Sequence, residues 1–162
     1  MSKKDAASIN YKFTKNHKMK KRFIVFTLIA FTILNHGFSQ TTEPWKAEQL
    51  LAPATLNNLI NSSSKDKPLV ICVGPSALIK TSVDAGPTKD KDNLEQLKQI
   101  LSKEKKDRQI VIYCGCCPFD HCPNVRPAFR LLNEMKFTHA MLLDIPKNLK
   151  TDWIDKGYSI NQ

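Results

Sequence analysis

Glycine is scarce in this chain of 162 residues, 5 in all, and no internal repeat or low-complexity tract is visible. A collagen-like or solenoid architecture is thereby excluded. Long apolar runs are missing too. The longest apolar one, Phe23–Leu34, covers 12 residues before Asn35 and His36, and a membrane-spanning helix needs about 20. No second C-x-x-C motif accompanies the cysteines, so a paired zinc-ribbon pattern is absent. Acidic residues are nearly missing from the first 40 positions, which hold 8 Lys+Arg against 1 acid, while the remainder holds 17 against 14. The formal charge of +10 therefore divides into +7 and +3, and the basic excess belongs mostly to a tail. No nucleic-acid partner is expected of the domain itself.

The tail has a recognisable order. Lys18, Lys20, Lys21 and Arg22 precede the Phe23–Leu34 run, and Gly37 and Ser39 supply small residues at the third-last and last positions before a cleavage site. This is the pattern of a secretory signal peptide. Met19 opens a more conventional signal than Met1, so residues 1–18 are expected to be either an upstream extension or a misassigned start. The expected organisation is an N-terminal extension and signal over 1–39 and one domain over 40–162. The protein is expected to be exported to the periplasm or cell envelope, with no stable membrane span after cleavage.

Within the domain, apolar residues alternate between helical and strand spacing. Pro53 opens a short helix with Leu56, Leu59 and Ile60 on one stripe. Leu69–Val73, Ile110–Tyr113 and Ala140–Asp144 read as strands buried on both faces. Leu94, Leu97, Ile100 and Leu101 mark an amphipathic helix, and Val125, Ala128, Phe129, Leu132 and Met135 another, with Asn124 as N-cap. Residues 74–92 read as a long connection, and 148–158 as a short helix ended by Gly157. Strand and helix alternate, so the expected fold is α/β, a parallel sheet flanked by helices.

The chemistry concentrates in Cys114-Gly-Cys-Cys-Pro-Phe-Asp-His-Cys-Pro-Asn124, which joins a strand to a helix and holds four of the 5 cysteines. A thiolate there gains from the helix dipole and free backbone N–H groups, with Arg126 and His121 as further cationic candidates. Cys114 is the leading nucleophile and Cys122 the second. Cys116, Cys117 or Cys122 would resolve or pair with it, and Cys72 reads as packing. Gly115, Cys116, Cys117, His121, Cys122 and Arg126 form the expected substrate-binding set. Four sulfurs and an imidazole could alternatively hold copper or zinc without turnover.

The strand ending at Cys114, the loop and helix after it, Phe137, the strand Ala140–Asp144 and the ending Trp153-Ile-Asp-Lys-Gly-Tyr158 together resemble the second half of a rhodanese domain. The resemblance spans 45–160, and its distinctive part is 110–158. It implies a parallel sheet of about five strands with helices on both faces, and an active cysteine at the end of the fourth strand. It further implies sulfur transfer through a cysteine persulfide, from a donor such as thiosulfate to a cyanide or thiol acceptor, with no cofactor. The implied partners are a small sulfur-containing anion or thiol, and a protein thiol as acceptor. Two departures stand out. Ten residues separate Cys114 from Val125, where the family uses about half as many, and Cys72-Val-Gly74 replaces its usual Asp-x-Arg. Longer-looped relatives include phosphatases, so dephosphorylation or arsenate reduction on the same cysteine is a further reading, as is a silent partner-binding domain. Sequencing the N-terminus of the processed protein tests the tail: Gln40 is the expected first residue, and a chain still carrying Phe23–Leu34 after export contradicts it.

Overall fold

The computed structural model describes residues 43–161. The signal-peptide reading lies outside the described residues. Five strands, β1 (Leu50–Leu51), β2 (Leu69–Cys72), β3 (Val83–Asp84), β4 (Ile110–Tyr113) and β5 (Ala140–Leu143), form one sheet in the order β1-β5-β4-β2-β3. Every strand pair is parallel. The helices are α1 (Pro53–Asn61), α2 (Lys91–Ser102), α3 (Val125–Glu134) and α4 (Leu149–Asp152). Among the described residues no helix is long and apolar enough to cross a membrane.

Two apolar cores explain the layering. Ile71, Ile110, Ile112 and Leu142 point to one face of the sheet and pack with Leu97 and Leu101 of α2 and Phe129 and Leu132 of α3. Val70, Val111, Tyr113 and Leu143 point to the other and meet Leu56 and Ile60 of α1, Leu149 of α4 and Trp153. Adjacent residues of one strand serve opposite cores, so the strands carry unbroken apolar runs rather than alternation. The fold is thus α/β with helices covering both faces.

Four local features differ from the sequence reading. The 74–92 connection contributes the edge strand β3, and the segment before Pro53 contributes β1. Each is two residues long, too short for a period of two to register. The 148–158 helix is broken: Trp153, at φ −129°, separates α4 from a 3₁₀ turn over Ile154–Lys156, which Gly157 ends at φ +70°. Asn124 precedes α3 but makes no side-chain cap bond.

β4 is the central strand, and all four of its residues are buried. Its last residue, Tyr113, anchors the connection above the sheet end by accepting the Ile79 N–H at 3.1 Å and pairing with Ser82 Oγ at 2.9 Å. The chain leaving β4 then passes very close to the chain leaving β2. A Cβ at Gly74 would stand 2.4 Å from the Cys114 carbonyl oxygen and 2.7 Å from its Sγ. Backbone cannot yield as a flexible side chain can, so Gly74→Ala is expected to lower stability by about 3 kcal/mol, the upper end of the overpacking range. Urea unfolding measures it, and a midpoint equal to wild type contradicts the close approach.

Candidate active site

Cys114 follows β4 directly, at the carboxyl end of the central strand, where open parallel sheets place their reactive groups. Gly115 turns the chain at φ +84°, a left-handed conformation that favours glycine, and a Cβ there would meet Leu149 Cβ at 2.9 Å. That turn brings Cys116 back over Cys114, Sγ to Sγ 3.2 Å. A 3₁₀ turn over Phe119–His121 then returns the chain to Cys122 and α3. The Sγ atoms of Cys114, Cys116 and Cys122 all lie within 4.8 Å of one another. Cys114 and Cys122 are buried and Cys116 is exposed.

The electrostatics assign different protonation states to these thiols. The Cys114 thiol is lowered from the ordinary 9.0 to about 5, first by the hydrogen bond from Cys122, then by Asn124 and by the N–H and thiol of Cys116, all against a burial effect that raises it. Cys122 is pushed up, chiefly by its bond to Cys114 and then by burial. The N–H groups of Asn124 and Val125 favour its thiolate, but they are outweighed. Cys116 is pushed up to about 12, mainly by burial of its sulfur among its neighbours and next by its bond to Cys114. One negative charge is thus shared among three sulfurs, and it resides on Cys114.

Asn124 is the residue that sequence reasoning assigned to another task. Its Oδ1 accepts the Lys89 backbone N–H at 3.1 Å, which fixes the amide so that Nδ2 donates to Cys114 Sγ at 3.3 Å. Its backbone carbonyl accepts Thr88 Oγ1 at 2.6 Å. Among the described residues, Thr88 and Asn124 are the two buried polar ones. An uncapped helix start with a buried Asn is the signal that marks this role, and it needs the structure to be seen.

Other expected site residues are placed elsewhere. Arg126 pairs with Glu43 at 2.6 Å, donates to the carbonyls of Asp120 and Cys122, and lies over the Trp45 ring at 5.7 Å from its centroid. Its guanidinium braces the loop from outside. His121 is exposed and bonded through Nδ1 to Asp120 at 2.8 Å. Cys117 lies 3.4 Å from Cys116, Sγ to Sγ, outside the cluster of three. Cys72 is fully buried in the core and bonded to the Ser76 carbonyl, with its thiol raised by burial. No family model, curated protein or solved structure matches this chain.

Because the folded pKa of Cys114 lies below the ordinary value, the unfolded chain binds the extra proton between about pH 5 and 9. The thiolate's contribution to stability is full above 9 and fades as pH falls through 5. The reactivity test follows the same charge. Iodoacetamide should alkylate Cys114 with a midpoint near pH 5. Asn124→Ala, which removes one charge-assisted bond, should move that midpoint upward by about 1 to 2 pH units. A profile unmoved by the substitution contradicts the assignment of Asn124.

Proposed function

We propose that this protein is an exported thiol enzyme of the sulfurtransferase type, with Cys114 as the nucleophile. The observation that carries the reading is the Cys114 sulfur held as an anion at the carboxyl end of β4, bonded by Asn124 and facing two other thiols. The five parallel strands and the position of Cys114 after the fourth of them agree with what the resemblance to rhodanese domains implies.

The transfer balances without a cofactor. The Cys114 thiolate attacks the sulfane sulfur of a donor such as thiosulfate, an S–S bond forms to the enzyme, and the donor's S–S bond breaks as sulfite departs with its electron pair. An acceptor thiolate or cyanide then takes the outer sulfur and returns the thiolate to Cys114. Its nearness to Cys114, 3.2 Å between sulfurs, makes Cys116 our choice among Cys116, Cys117 and Cys122 for the thiol that resolves the persulfide. Its attack on the inner sulfur would form a Cys114–Cys116 disulfide and expel hydrosulfide, and a dithiol reductant would reset the pair.

Mass spectrometry of the reduced Cys116→Ser variant after thiosulfate treatment tests the reading. The expected result is a gain of one sulfur atom, lost in the Cys114→Ser, Cys116→Ser double variant. An unchanged mass, or a gain that survives replacement of Cys114, overturns it.

A further inference from the structure

We propose that Cys114, Cys116 and Cys122 form a binding site for one copper(I) ion, held by three sulfurs. The three Sγ atoms lie within 4.8 Å of one another. With metal–sulfur bonds of about 2.3 Å, a planar three-coordinate ion needs its sulfurs about 4.0 Å apart. The spacing of the cluster accommodates this once the 3.2 Å pair opens, and any pair near the 4.8 Å limit closes, each by less than about 1 Å, with the exposed Cys116 the freest to move.

The donor set selects the metal. The cluster holds no carboxylate and no imidazole, since the exposed His121 bonds to Asp120 instead. Magnesium, calcium and manganese, which require oxygen ligands, are therefore disfavoured. Zinc takes four ligands in tetrahedral array; the fourth thiol of the loop, Cys117, stands outside the cluster, so zinc would need a water to complete its shell, whereas three-coordinate copper(I) would not. Copper(I) is soft and is satisfied by thiolates alone. The surroundings suit a thiolate-bound cation as well. Asn124 Nδ2 donates to Cys114 Sγ and is itself fixed by the Lys89 N–H, an outer bond of the kind that orients metal ligands. The N-terminus of the ten-residue α3 offsets the negative charge of the sulfurs. Two ligands are shielded from water, and Cys116 provides the approach from solvent.

This inference stands independently of the persulfide reading. It uses the same thiols, and an occupied site leaves Cys114 unable to attack a donor, so persulfide formation is measured on metal-free protein. The full chain, reduced and kept free of oxygen, is titrated with copper(I) alone in competition with bathocuproine disulfonate. One copper(I) per chain is expected to be withheld from the chelator, and X-ray absorption should show only sulfur neighbours. Cys114→Ser and Cys116→Ser should each weaken binding at least about 100-fold, while Cys117→Ser should change it by less than about threefold. The proposal is overturned if the chelator takes all the copper, if Cys117→Ser costs as much as Cys116→Ser, if a nitrogen neighbour appears, or if equimolar zinc(II) displaces the copper.

Discussion

One buried negative charge on sulfur is the constraint around which the carboxyl end of this sheet is organised. A thiolate in an apolar surrounding is costly unless hydrogen bonds replace the water it has lost. Here the replacements come from the Cys122 and Cys116 thiols, the Cys116 backbone and the Asn124 amide. Asn124 would ordinarily satisfy the first N–H groups of α3. Instead its two ends are divided between the Lys89 N–H and the Cys114 sulfur. A helix cap is worth about 1 kcal/mol, and a hydrogen bond to a charged group about 1.5–3 kcal/mol, so the substitution of one use for the other is favourable where an anion must be kept dry.

The enlarged loop is braced rather than loose. Phe119 donates its N–H to the Ile145 carbonyl and meets the Trp45 ring edge-on with centroids 6.1 Å apart, while Trp45 packs in the same manner on Phe129 of α3. Arg126 adds the ion pair to Glu43 and two bonds to loop carbonyls. An arginine expected to stabilise the thiolate directly is thus spent on the loop that carries it. These contacts fix the path of the loop between β4 and α3, and with it the return of the chain to Cys122.

Much of this was legible in the sequence, and the illegible part has a physical reason. β2, β4 and β5 were visible because a strand buried on both faces must be apolar throughout, as Ile110-Val-Ile-Tyr113 is. β1 and β3 were not, because two-residue strands hold their place through neighbours rather than through a pattern of their own. The crowding of thiols at the strand-to-helix loop was plain from Cys114 to Cys122. Which three converge was not, because Cys116 and Cys117 are adjacent in the chain and only the turn at Gly115 decides which of them faces Cys114. The partner of Arg126 was equally hidden, since Glu43 lies 83 residues away and an exposed acid before the first helix carries no mark of its use.

The same constraint explains why a glycine follows each of the two strands that meet here. Gly74, after β2, leaves room for the Cys114 carbonyl and sulfur, and Gly115, after Cys114, gives the left-handed turn that folds the second thiol over the first. A Cβ at Gly74 would strike the Cys114 backbone and sulfur, and one at Gly115 would strike Leu149 in a left-handed conformation, so neither position accepts a side chain freely. Cys114 is 4 % exposed and lies beneath an exposed thiol. The exposed sulfur of Cys116 therefore stands between solvent and the buried one, 3.2 Å away.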